Sequence, residues 1–306
     1  MKILLTGGTG FLGSNICQQL LSAGHSVDVA LRETSDIKKL CNLVGSQDVN
    51  LRLIKYTKLD WAAGYDTVIH SATAYGRGKH LSSDVIEANL VMPLKLLEES
   101  IKYRVRAFIN TDTYYTIAHT DHPLQSYIRS KKDFFEWACL VAEKKIKFIN
   151  MRIEHLYGPS DSKEKFCNSV IEDMLENKER ISLTECDQLR DFVYVRDAAK
   201  AYLTVLCHLN DCERGTTEIG VGSGVPVPLK EYVTSACEIT GSNSTLGFGD
   251  LKKSLTEINL SCANNTFLIE RGWSSDFDLK SGIKEIIQAM KAKQLANFSS
   301  DGQICE

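Results

Sequence analysis

The chain is 306 residues long, and its 43% hydrophobic and 25% charged residues are the balance of an ordinary globular protein with ample core. A net charge of -3 and a pI near 6.2 offer no basic footprint for nucleic acid, and no apolar stretch approaches membrane-span length. Ten cysteines, scattered from Cys17 to Cys305 without CxxC pairs and with no secretory signal, point to reduced thiols, a cytoplasmic setting and no metal site.

Lys2 to Thr6 is a short apolar run that predicts a buried parallel strand. A glycine turn follows, and Ile16, Leu20 and Leu21 then recur at helical spacing until Gly24 closes the helix. Further strands are predicted at Ser26 to Leu31, Leu51 to Ile54, Thr67 to His70, Ala107 to Asn110 and Lys147 to Arg152. Long helices are predicted over 84–104 and 126–145. Strands separated by helix-length segments imply an α/β fold with a doubly wound, Rossmann-type parallel sheet. After Tyr157 the rhythm loosens into isolated helices near 166–177, 197–208, 229–240 and 279–294. This predicts a smaller, partly interleaved substrate domain. Residues 1–157 plus 192–220 would bind dinucleotide, and 158–191 plus 221–306 would form the substrate domain.

Gly7-Gly8-Thr9-Gly10-Phe11-Leu12-Gly13 sits between the first strand and the first helix. A nucleotide-binding turn needs that placement, because glycines let the backbone approach a pyrophosphate held at a helix N-terminus. The plainer alternative is tight strand–helix packing with nothing bound. Cofactor choice turns on the end of the second strand, where NAD-selective folds place an acid and a basic residue suits a 2′-phosphate. Glu33 lies near the usual distance, but Arg32 directly follows the strand and its guanidinium suits forked phosphate contacts. NADP(H) is the expected cofactor, with NAD second; the alternative for Arg32 is a solvated loop charge.

Tyr127 and Lys131, four residues apart near the start of a predicted long helix, share one helical face. A phenol is a poor acid/base catalyst unless a neighbouring ammonium stabilises its anion, and Lys131 can supply that charge. Upstream, Thr113 offers a hydroxyl to orient a carbonyl against Tyr127.

With these residues in view, the chain resembles the extended short-chain dehydrogenase/reductases, the NAD-dependent epimerase/dehydratase family. The resemblance runs from Met1 to at least Trp273. Thr6 to Gly13 is similar to the family's TGxxGxxG loop, and His70-Ser71-Ala72-Thr73 to the segment lying along the cofactor. Asn89 falls at the family's helix asparagine. Thr111-Asp112-Thr113 matches the Ser/Thr-rich stretch whose third member is catalytic. Residues 151–159 resemble the strand and turn leading to the substrate domain, and Arg190 to Asp197 the segment returning from it. Counted without gaps from the glycine loop, the acid of NAD-using members falls at Leu31, in keeping with NADP(H).

The resemblance implies that Gly7, Thr9, Gly10, Phe11, Leu12, Gly13, Arg32, Ser71, Ala72, Thr73 and Asn89 contact the cofactor with Tyr127 and Lys131. It implies Tyr75, Glu154, His155, Gln188 and Arg190 for substrate, the last two at its diphosphate. Within the family, residues 72–77, 86–98, 153–161 and 221–233 look most like the CDP-abequose/CDP-paratose synthase group. Those relatives reduce the 4-keto group of a CDP-linked 3,6-dideoxyhexose, making a donor for O-antigen. The family's usual asparagine after the sixth strand is replaced by Glu154-His155, and its C-terminal arginine is not evident, leaving Lys252 or Lys253 as stand-ins. The expected function is therefore NADPH-dependent reduction of a nucleotide-sugar ketone. A nucleotide-sugar 4-epimerase retaining NAD is the first alternative, and a non-catalytic NADP sensor the second.

Three features admit plainer readings. Cys207, His208 and Cys212 fit no common zinc spacing. His155 is either a substrate contact or a satisfied structural histidine. The apolar stretch 131–145 is either a buried core helix or, with 84–104, a homodimer surface.

Overall fold

A computed structural model describes residues 1–44, 50–76, 81–117 and 123–301; Arg77 and Cys305 lie outside the described residues. In chain order the first half runs β1 (Lys2–Thr6), α1 (Phe11–Ser22), β2 (Ser26–Leu31), α2 (Lys38–Val44), β3 (Leu51–Lys55), β4 (Thr67–His70), α3 (Ser82–Ile86), α4 (Met92–Lys102), β5 (Ala107–Thr113), α5 (Gln125–Ala142) and β6 (Lys147–Ile153). The second half runs β7 (His155–Tyr157), α6 (Phe166–Leu175), β8 (Arg180–Leu183), β9 (Leu189–Arg190), β10 (Phe192–Tyr194), α7 (Val195–Cys207), β11 (Gly215–Val221), β12 (Val227–Pro228), α8 (Leu229–Thr240), β13 (Thr245–Phe248), α9 (Thr266–Ile269) and α10 (Leu279–Asp301).

A seven-stranded sheet, all parallel, has the order β11-β6-β5-β4-β1-β2-β3. Both faces are covered, which is why the strands read as near-continuous apolar runs. Ile3 and Leu5 pack with Ile16, Leu20 and Tyr202 on the α1/α7 side, while Leu4, Val68 and Phe108 meet Phe134 on the α5 side. Strand order reverses between β1 and β4. A crevice therefore opens beyond their carboxyl ends, where such sheets bind ligands. Four of the five predicted strands beyond β1 end within a residue of the prediction, but β5 continues three residues past Asn110 to Thr113. That extension matters, because it carries the Thr111–Thr113 segment on the sheet itself.

Two elements depart from the sequence pattern. The predicted helix over 84–104 is broken by a π turn at Glu87–Val91, which holds Asn89. The seventh strand, β11, was not predicted. It is an edge strand, and its first four residues alternate half-buried and exposed, so its sequence carries little apolar signal. The smaller lobe packs α6, β8, α8 and α10 around Ile171, Tyr232, Ile283 and Ile286. Short pairings of β7 with β10 and β9 with β12 connect it to the chain segments leaving and re-entering the main sheet, and β8 pairs with β13 within it. Among the described residues no helix is long and apolar enough to cross a membrane.

Candidate active site

Gly7 takes φ 71°, and a Cβ there would lie 2.4 Å from the Ala72 amide nitrogen. A Cβ on Gly13 would lie 2.1 Å from the Gly7 carbonyl. The loop is thus folded against both α1 and the Ser71–Ala72 segment, and only glycine fits. Gly10 caps α1 with no side-chain cap, and no acidic residue stands in the first turn. Open amides and an uncompensated positive helix end suit a dinucleotide's diphosphate. Thr9 and Phe11 flank this opening, whereas Leu12 and Gly13 are buried supports. Asn89 is buried beside the Thr73–Ala74 loop. Its amide accepts from Ala74 N (2.8 Å) and Thr73 Oγ1 (3.2 Å), and donates to Ala74 O (2.8 Å) and Ser130 Oγ (3.0 Å). It therefore fixes the Thr73–Ala74 loop to the helix that carries Tyr127.

At the end of β2, Arg32 is exposed, and its backbone amide donates to Ser35 Oγ at 3.0 Å. Glu33 is engaged by Lys55 at the end of β3. The acid at the NAD-reading distance thus has a partner within the protein.

Tyr127 and Lys131 project from α5 and are 4% and 2% exposed. Burial pushes the Tyr127 phenol well above its usual range, with Tyr75 adding to the effect and a hydrogen bond to Thr113 opposing it. Burial also lowers the Lys131 ammonium to about 8, against the pull of the Asp112 carboxylate. Lys131 Nζ donates to Thr111 O at 2.9 Å, and the Tyr75 ring lies 4.9 Å from the Tyr127 ring. Thr113, Tyr127, Lys131 and Tyr75 are thus brought together. Thr111 holds Lys131 through its backbone and Tyr202 through its hydroxyl (2.7 Å). Sequence reasoning gave it no role, since a backbone contact leaves no residue-type signature.

The substrate-side candidates divide. Gln188 and Arg190 converge on one partner: Gln188 Nε2 donates to Glu257 Oε1 at 2.6 Å, and Arg190 to the same oxygen at 3.2 Å. Glu257 was missed because it lies 67 residues from Arg190 in an irregular segment. His155 has both ring nitrogens on protein groups, Tyr114 Oη at 3.3 Å and Cys167 Sγ at 3.6 Å. Burial, with Arg190 and Lys165 adding, pushes its pKa down to about 3, so it is a neutral, satisfied side chain. Glu154, 4% exposed, lines a cavity of about 250 Å³ with Tyr114, Arg152, Leu260 and Ser261. Lys253 pairs with Asp187 at 2.7 Å. Lys165, also unanticipated, pairs with Asp161 at 3.0 Å and lies 5.6 Å from the ring centres of both Phe11 and Tyr75. It reaches from the base of α6 toward the glycine loop.

The sequence profile of the NAD dependent epimerase/dehydratase family matches residues 3–220. The chain belongs to that family. It is 32% identical over 294 residues to a CDP-abequose synthase of Salmonella typhimurium, covering 94% of this chain and 98% of that one. Its fold is similar to the UDP-glucuronic acid 4-epimerase of Bacillus cereus in complex with UDP-glucuronic acid and NAD (TM-score 0.79, 22% identity, 96% and 100% coverage). It is also similar to the Bordetella bronchiseptica enzyme WbmF in complex with NADH (TM-score 0.80, 20% identity, 97% and 94% coverage). Among the described residues no three His, Cys, Asp or Glu side chains gather as a metal site. Near Cys207, the His208 ring meets Thr204 O at 2.9 Å.

Proposed function

We propose that this protein is an NADPH-dependent reductase of the 4-keto group of a nucleotide-linked deoxyhexose, of the CDP-4-keto-3,6-dideoxyhexose kind. It would serve surface polysaccharide (O-antigen) biosynthesis in the cytoplasm. The observation that carries this reading is the buried Tyr127–Thr113 pair beside Lys131, at the carboxyl end of the sheet and next to a glycine loop built for a dinucleotide. The likeness to CDP-abequose synthase supports the substrate class.

The bound dinucleotide supplies hydride. Tyr127 gives its phenolic proton to the carbonyl oxygen, and Thr113 steadies that oxygen from the other side. Lys131 stabilises the phenolate left behind and holds the cofactor ribose. Arg190, with Gln188, exchanges Glu257 for the substrate diphosphate. Glu154 faces the sugar side, and Tyr75 covers Tyr127.

NADPH is favoured over NADH because Arg32 is exposed at the end of β2 while Glu33 is occupied by Lys55. A nucleotide-sugar 4-epimerase retaining NAD would want that acid free. A non-catalytic NADP sensor would not need Tyr127 and Lys131 so placed. The reading also divides the chain into a dinucleotide domain (1–157 plus 192–220) and a substrate domain (158–191 plus 221–306). A homodimer is part of it as well. α5 buries Tyr127, Lys131 and Phe134 but leaves Trp137 53% and Leu140 68% exposed, an apolar face suited to a second copy.

The test is an NADPH-oxidation screen against 4-keto-6-deoxy and 4-keto-3,6-dideoxy sugar nucleotides. Stoichiometric NADPH consumption with a CDP-linked ketone is expected. Interconversion of 4-epimers with no net NADPH consumption would overturn the proposal in favour of an epimerase.

A further inference from the structure

Beneath Lys131, whose Nζ is held at 2.9 Å by the carbonyl of Thr111, the residue before Asp112, the sheet carries a row of polar side chains where apolar ones would be usual. His70 of β4, Asn110 of β5 and Asn150 of β6 are register partners, and none is more than 1% exposed. Asn110 Nδ2 donates to Asn150 Oδ1 at 2.7 Å, and Asn150 Nδ2 donates to Asp112 Oδ2 at 2.9 Å. Asp112 is 6% exposed, and its Oδ1 is buried without a hydrogen-bond partner. An acid held this way is expensive to bury, so its retention by packing alone has no rationale.

Lys131 faces Asp112 from α5, Arg152 from β6 and Tyr202 from α7; His70 of β4 lies beside Lys131. Tyr127 of α5 feels Asp112 together with Tyr75 after β4 and Tyr115 after β5. Asp112 is the carboxylate that raises Lys131 against burial, and it also opposes ionisation of Tyr127.

We infer that Asp112, oriented by the Asn110–Asn150 pair, is a positioning residue that biases the Tyr127–Lys131 pair toward its fully protonated form and so sets the site to deliver protons. The inference rests on the proposed reductase activity and deepens it. In reduction, Tyr127 must begin protonated; its O–H bond breaks as the product O–H forms, and solvent returns the proton. In oxidation the phenolate must be present first, to take the proton of a sugar hydroxyl. Burial pushes the Asp112 carboxyl above its usual range as well; once ionised it raises the proton affinity of both groups, which favours the first requirement and opposes the second. An epimerase, which needs both directions equally, gains nothing from such an acid.

The test compares the unmutated protein with Asp112→Asn, which keeps the shape and an acceptor for Asn150. Asp112→Ser serves as a second variant should the first fold poorly. The Lys131 titration is followed in the free protein by carbon NMR of labelled lysine, with Lys131→Met identifying the resonance. A midpoint near 8 is expected in the unmutated protein. It should fall by about one pH unit in the variant, the usual effect of removing one close opposite charge. The alkaline limb of the reduction rate should fall by the same interval, while oxidation of the product alcohol with NADP speeds up at neutral pH. An unchanged or raised Lys131 midpoint in both variants overturns the inference, even if ketone reduction is confirmed. If no ketone is reduced but the midpoint falls as expected, the reductase reading is what fails.

Discussion

Glu154 gives the most quantitative handle on the site. At 4% exposure, its carboxyl is pushed from the usual 4.5 up to about 7, chiefly by burial and further by Asp191, against the opposing pull of Ser261, Arg152 and Arg190. The folded chain therefore holds this proton to a higher pH than the unfolded chain. The stability it contributes is fully present below 4.5, declines as pH rises, and is lost above about 7. At about 1.4 kcal/mol per pH unit, that interval corresponds to about 3 kcal/mol of destabilisation in the alkaline range. Glu154→Gln keeps the volume and removes the titration. In urea unfolding, the variant should match the unmutated protein at pH 4.5 and exceed it by up to about 3 kcal/mol at pH 8.5. A stability difference that is the same at both pH values would refute the reasoning. A side chain that destabilises the fold yet lines the cavity beside Tyr114 is also expected to act on substrate, so the same variant should bind nucleotide sugar more weakly by calorimetry.

Tyr127→Phe should lower ketone turnover by about two to four orders of magnitude while NADPH binding survives. Its unfolding free energy should change by about 1 kcal/mol at most, because the ring stays packed against Tyr75 and only the Thr113 hydrogen bond is lost. Arg32→Ala should erase most of an expected preference of at least tenfold for NADPH over NADH, about 1.4 kcal/mol, measured by titration calorimetry. Gly13→Ala places a methyl 2.1 Å from the Gly7 carbonyl, so cofactor binding measured by fluorescence titration should be lost. In Gly24→Ala, a Cβ meets nothing within 4 Å and the cost is the left-handed backbone at φ 78° alone, so stability should fall by about 1 kcal/mol while cofactor binding is unchanged.

Much of the site was legible because its signals are local. The strand–glycine–helix junction, and the four-residue spacing of Tyr127 and Lys131, each lie within one short segment whose geometry follows from helix and strand periods. The end of β5 was harder. Asn110 to Thr113 reads as polar, so the predicted strand stopped at Asn110, although hydrogen bonding to β6 carries it on to Thr113. Asn89 was placed by the resemblance as a cofactor residue. In the structure it holds Ala74 and Ser130 from inside a π turn, contacts that no local pattern signals.

The sequence by itself determined the first six strands of the main sheet, the glycine turn and the helix face shared by Tyr127 and Lys131, since these depend on residues within a few positions of one another. Tertiary structure alone decided that Glu257 meets Gln188 and Arg190, that Tyr114 and Cys167 partner the two nitrogens of the His155 ring, and that Asp112 stands behind Lys131. Glu257 is distant along the chain, and the β5–β6 register sets Asn150 opposite Asn110 and diagonal to Asp112, a placement that no local pattern encodes. The charges of Glu154, His155 and Lys131 were likewise decided only by folding, because desolvation depends on what the rest of the chain packs around each group.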